Sequence, residues 1–185
     1  MSSKSKASGS FTGILALLGS ALGTLALLLV AALYLRAPQP AATGAPAATE
    51  DVKKVVYHAD FADPRRFSAM LTSVNNMVNT YQRDLVEYDV RIVFVSHGIR
   101  FVTDDPLAGT PFAVDAALKE RRGDLSNRLL SLHETQGVKL ELCNITREQI
   151  NLDEGKLMAG VELVPSGVVR VAELQSQGYA YLKIE

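Results

Sequence analysis

The chain has 185 residues, 48% of them apolar, which suits one domain with a buried core plus an appendage but not two ordinary domains. Its 19 Lys and Arg nearly balance 20 Asp and Glu, which argues against the concentrated positive footprint of a nucleic-acid surface. A single cysteine excludes an internal disulfide and every multi-cysteine zinc or iron–sulfur arrangement, leaving an intermolecular disulfide open.

Residues 11–35 read FTGILALLGSALGTLALLLVAALYL and carry no charge. At about 1.5 Å per residue such a helix crosses a hydrocarbon core of roughly 30 Å. The run exceeds the usual apolar region of a signal peptide, about 7–15 residues, so a retained transmembrane anchor is expected. The rival is a cleaved signal peptide, since Ala45 and Ala47 flank Pro46 downstream. Lys4 and Lys6 precede the span and only Arg36 follows closely. The positive-inside rule then makes residues 1–10 a cytoplasmic tail. The C-terminal part is expected in the periplasm or outside the cell, on a single-pass membrane protein. Gly19 and Gly23 form a G-x-x-x-G pattern, read as ordinary membrane-helix glycine rather than a dimer face. Residues 36–50, rich in Pro and Ala, form a semi-extended linker, and the folded domain is expected over 51–185.

Within the domain, Lys53–His58 is a short strand. Asp63-Pro64 starts a helix, with Asp as N-cap and Pro in the first helical position. Phe67, Met70, Leu71, Val74, Met77, Val78 and Tyr81 recur at helical spacing. Val90–Val95 is a buried strand rich in β-branched residues. The stretch from Ile99 to Asp124 reads as irregular, with a short helix over Ala113–Arg121. Ser126 is expected to cap a further helix carrying Leu129, Leu130 and His133, and Gly137 to close it. Val138–Cys143 is a third strand. Thr146 and Gln149 fit a capping box, predicting a helix that starts after Ile145. Gly160–Val164 is a fourth strand, a helix runs from about Gly167 to Gln177, and Tyr179–Ile184 is the last strand. Strands alternating with amphipathic helices predict an α/β class fold, a three-layer α/β/α domain with a mostly parallel five-stranded sheet. Ligands of such sheets bind beyond the carboxyl ends, where strand order reverses.

Three strands end in His58, His97 and Cys143, so in a parallel sheet all three lie on one edge. Cys143 precedes a helix N-terminus, where unpaired N–H groups favour an anion and lower a thiol pKa. Against that, a lone cysteine at a buried strand end is ordinarily a small core hydrophobe. His97 fits either a catalytic role or a plain hydrogen bond to a loop carbonyl, and His58 opens a loop. Asn76, in the first helix, either bridges to a loop or faces solvent. His133 reads as packing or surface. Two histidines and one cysteine without a fourth ligand make a poor metal pattern, so no metal is expected. The chain lacks a P-loop, G-x-S-x-G and G-x-G-x-x-G, so a dinucleotide is not expected either.

The segments VVYHAD, SVNNMVN, VSHG, LCNIT and VPSGVVRVAELQSQGYAYLKI come in an order that resembles the DsrE/DsrF-like family of small sulfur-relay proteins, in its single-domain, YchN-like branch. The similarity runs from about Lys53 to the end. It implies a flavodoxin-like domain, a homo-oligomer (trimer or hexamer), and a cysteine that carries sulfane sulfur as a persulfide between a donor and an acceptor protein. On this reading Cys143 is the nucleophile, a sulfurtransferase-type carrier, assisted by His97. His58, Asn76, Asn144 and Thr146 are the candidate binding residues, and no cofactor is expected. The alternative is a non-catalytic ligand-binding or scaffold module with Cys143 structural. The stretch Thr103–Asp124, which reads as longer than the family's usual loop, is expected to form a lid over the His97 edge or to mediate assembly.

Overall fold

The computed structural model describes residues 52–185. The expected tail, apolar span and linker lie outside the described residues. Among those described, no helix is long and apolar enough to cross a membrane.

Five strands form the sheet: β1 (Lys53–Ala59), β2 (Tyr88–Phe94), β3 (Lys139–Cys143), β4 (Val161–Val164) and β5 (Ala180–Leu182). Their order is β4-β3-β2-β1-β5 and every pairing is parallel. The connections are α1 (Pro64–Arg83), α2 (Ala116–Gln136), the short α3 (Asn144–Gln149) and α4 (Gly167–Ser176), with 3-10 turns at Ser96–Phe101 and Glu154–Lys156. The α/β/α architecture is as the alternation predicts.

From β1 to β4 each strand adds in one direction, so right-handed crossovers put α1 and α2 on one face. The step from β4 back past β1 to β5 reverses direction and puts α4 on the other. Side chains alternate accordingly. Val55, Tyr57, Val90, Ile92, Phe94, Leu140 and Leu142 join Phe67, Met70, Leu71, Val74, Leu125, Leu129 and Leu132 in the main core. The second face holds a small cluster of Val56, Val93, Val171, Leu174 and Tyr179. It also carries Asp89, Arg91, Glu141 and Cys143.

Local chemistry explains the element ends. Asp63 caps α1 by accepting the Arg65 N–H at 2.8 Å, with Pro64 in the first turn. Gly137 ends α2 at φ 68°, a left-handed conformation that glycine takes without Cβ strain.

Two sequence expectations need correction. Ala116–Gln136 is one continuous helix capped by Asp115, not two. Gly123 sits within it and Ser126 does not cap; a single interior glycine costs only about 1 kcal/mol against alanine, less than the burial of Leu118, Leu125, Leu129 and Leu132 returns. The second concerns the irregular stretch, which is confined to the residues between Phe101 and Ala116. Leu107 and Phe112 from it are buried in the main core, and Thr103 pairs with Leu157 in an isolated antiparallel bridge.

Candidate functional site at the carboxyl end of β3

β3 reads KLELC, and the pleat puts Glu141 and Cys143 on the face covered by α4. Cys143 is the N-cap of α3 and is only 4% exposed. α3 starts at Asn144, not after Ile145 as the capping box predicts. Thr146 therefore lies inside the first turn, and its hydroxyl serves other partners. Its Oγ1 accepts the Ser96 N–H at 3.0 Å, which leaves the hydroxyl hydrogen free to donate to the Cys143 sulfur. Ser96 reaches this position in a left-handed conformation at φ 53°, a strain of the kind found at functional sites.

The sulfur lies where two helix N-termini converge. Gly167 begins α4 after its N-cap Ser166 and packs directly against Cys143. No larger residue fits there: a Cβ on Gly167 would lie 2.9 Å from the Cys143 Cβ and 2.5 Å from Val95 Cγ2. Burial pushes the Cys143 thiol up. The N–H groups of Gly167, Thr146 and Ile145 and the Thr146 hydroxyl outweigh it and hold the thiol below its ordinary value of 9.0. Around the buried sulfur, Ile145, Val168 and Val169 are exposed apolar side chains on the first turns of α3 and α4.

β1, β2 and β3 are neighbours, so the ends of the strands bearing His58, His97 and Cys143 are adjacent. The three side chains nevertheless do not bond to one another. His97 lies in the 3-10 turn after β2, where its Nδ1 is 3.3 Å from Ser96 Oγ and its ring packs edge-on against Phe112, centroids 5.2 Å apart. It makes no hydrogen bond to Cys143, so the expected direct assistance has no geometric basis in this state; Ser96 bonds His97 through its hydroxyl and Thr146 through its N–H. His58 is two strands from Cys143, about 10 Å at ordinary strand spacing. Its Nδ1 meets Tyr181 Oη at 3.1 Å. Burial lowers the His58 pKa below 6.5, with Asp60 opposing and Lys183 adding to the shift. The strand numbering reverses between β1 and β5, but the connections that leave adjacent carboxyl ends for opposite faces are those after β3 and β4, beside Cys143. Asn76 is exposed on α1, on the opposite side of the sheet from the sulfur. Asn144 stabilises α3, donating to Glu148 Oε1 at 2.8 Å and accepting from Arg147 Nε at 2.8 Å.

Three participants were missed in the sequence reading: Gly167, Ser96 and Glu141. A signal exists for the first, since Ser166-Gly167 is a helix start, and for the last, an acidic residue inside an apolar strand. Glu141 is 1% exposed, and its Oε1 accepts from Arg91 Nη1 at 2.7 Å. Arg170 of α4 donates from Nε to Oε2 at 2.7 Å and from Nη2 to Oε1 at 2.9 Å. Asp89 completes the network with two bonds from Arg91, at 3.0 and 2.8 Å, and one from Lys139 at 2.9 Å.

The profile of the DsrE/DsrF-like family matches residues 42–184, through all five strands and past Cys143. The chain belongs to the DsrE/DsrF-like family. Among solved structures, the domain is similar to the protein of unknown function MTH1491 from Methanobacterium thermoautotrophicum. The two are 27% identical, with 71% of this chain and 98% of that one covered, at a TM-score of 0.53. It is also similar to the ychN protein of E. coli, at 17% identity over 72% of this chain and 100% of that one, TM-score 0.45. No curated protein matches the chain. DsrE/DsrF-like membership supports a sulfur-relay type of role in general.

Proposed function

We propose that this DsrE/DsrF-like protein is a membrane-tethered carrier of sulfane sulfur, with Cys143 as the carrying residue. The Cys143 thiolate attacks the outer sulfur of a persulfide or polysulfide. A new S–S bond forms at Cys143, the donor's own S–S bond breaks, and the donor leaves as a thiolate. An acceptor thiolate on a partner protein then takes the outer sulfur by the same exchange and returns Cys143 to the thiolate. Electrons balance at each step without a cofactor.

The single observation behind this reading is the set of donors on a buried sulfur. The N–H groups of Gly167, Thr146 and Ile145 and the Thr146 hydroxyl lower the thiol pKa against the effect of burial, which favours the anionic form that sulfur transfer needs. The apolar span at residues 11–35 supports the tether, and the two lysines before it support a domain outside the cytoplasm. Assembly as a trimer or hexamer belongs to the same proposal. The 4% exposure of Cys143 favours a second reading, a binding or scaffold module in which the cysteine only packs.

The full chain in detergent, treated with polysulfide and weighed as an intact protein with and without reductant, separates the two. A carrier gains one or more sulfur atoms reversibly, and Cys143→Ser does not. A packing cysteine gains nothing and alkylates only after denaturation.

A further inference from the structure

The donors around Cys143 come from two separate pieces of chain, and only one is covalently near it. Ile145 and Thr146 follow directly in α3, whereas Gly167 is delivered by α4 from the far side of β4. Something must hold α4 at the right height on β3. Glu141 is two residues before Cys143 on the same face of β3, and Arg170 is one helical turn after Gly167, its N–H bonded to Ser166 O at 2.9 Å. α4 therefore runs antiparallel to β3 with two points of contact between them: Gly167 packed against Cys143, where an added Cβ would lie 2.9 Å from the Cys143 Cβ, and Arg170 bonded to Glu141 at 2.7 and 2.9 Å.

We propose that Glu141 and Arg170 are a positioning pair for the Cys143 thiol: their ion pair fixes the first turn of α4 on β3 and so keeps the start of that helix against Cys143. The inference deepens the sulfur-carrier reading and rests on Cys143 being the working thiol. Other charges around the pair steady it. Arg91 on β2 holds Glu141 from the other side at 2.7 Å; Arg91 also donates to Asp89 and to the Tyr179 hydroxyl, Lys139 pairs with Asp89, and Glu173 on α4 lies 3.9 Å from Arg170. With both oxygens engaged, the Glu141 carboxylate has no freedom to swing away.

A positioning role and a simple charge effect predict opposite signs. Glu141 is an anion near the sulfur, so by charge alone Glu141→Gln would make the thiolate easier to form. If Glu141 works by placing α4, the same change lets the N-terminus of α4 move away from Cys143 and makes the thiolate harder to form. Arg170→Lys keeps the charge but loses the planar two-bond fork, so charge alone predicts no change and positioning predicts a rise.

The test is the pH dependence of iodoacetamide alkylation in the full chain, where Cys143 is the only thiol, for wild type, Glu141→Gln and Arg170→Lys, with thermal melts alongside. The expected result is a wild-type midpoint below 9.0 and midpoints raised by about one pH unit in both variants, a roughly tenfold loss of thiolate near neutrality. A midpoint that falls in Glu141→Gln, or stays fixed in both variants while the melts drop, overturns the positioning role and leaves the carrier reading standing. If Glu141→Gln does not fold, Arg170→Lys, on a partly exposed helix face, decides alone. A wild-type midpoint at or above 9.0 overturns both readings together.

Discussion

Gly167 sits against Cys143 from a helix that begins 24 positions downstream of it, across a gap too narrow for a Cβ. The glycine is needed for its missing side chain, not for its backbone freedom, since α4 is helical there.

Gly167→Ala tests that closeness. The new methyl would lie 2.5 Å from Val95 Cγ2 and 2.9 Å from the Cys143 Cβ, so α4 must lift. Overpacking of this kind costs about 1–3 kcal/mol. Denaturant unfolding is expected to register that loss, and the alkylation midpoint of Cys143 to rise. A variant as stable and as reactive as wild type would mean that α4 is not held against β3 as described.

Thr146 joins two groups through one hydroxyl, and two substitutions separate its chemistry from its shape. Thr146→Val keeps the volume but leaves the Ser96 N–H without its acceptor and removes a donor from the sulfur. The orphaned amide alone costs about 1–3 kcal/mol. Thr146→Ser keeps the hydroxyl and is expected to stay close to wild type in thiol reactivity. Equal thiol midpoints in the valine and serine variants would remove the hydroxyl from the account.

Asp89 is expected to govern part of the acid stability. Burial pushes its pKa up, but bonds from Arg91, Lys139 and Tyr179 prevail and bring it from 3.8 to about 2. A carboxylate depressed on folding stabilises the fold above its unfolded value, and the contribution disappears as pH falls through the folded value. The shift corresponds to about 2 kcal/mol. Asp89→Asn should therefore be less stable than wild type by roughly that amount at pH 6–7, with the two converging between about pH 4 and pH 2. Urea unfolding across this range checks it; a constant gap down to pH 2 would assign the loss to packing instead.

Much of this protein was legible in the chain itself. Local rules placed α1 at Asp63-Pro64, ended α2 at Gly137 and found all five strands, because caps, glycines and periodicity act within a few residues of one another. They also placed Cys143 at a strand end before a helix. They failed where two local signals conflicted. Gly123 and Ser126 look like a break but sit inside α2, because four buried leucines carry the helix through. Thr146 looks like an N-cap but has its hydroxyl drawn to Ser96, a residue 50 positions earlier.

What only the tertiary structure decided is which distant groups share the sulfur. The sequence determines a parallel sheet with His58, His97 and Cys143 at one edge. It does not determine that the histidines bond elsewhere, His58 to Tyr181 and His97 to Ser96. Nor does it determine that the return crossover to β5 lays α4 over β3. That step follows from strand order and handedness, and it brings Gly167 to Cys143 and Arg170 to Glu141. Hydrogen bonds and ion pairs act over a few ångströms, so such partners can be read only once the topology has set which strand each helix covers.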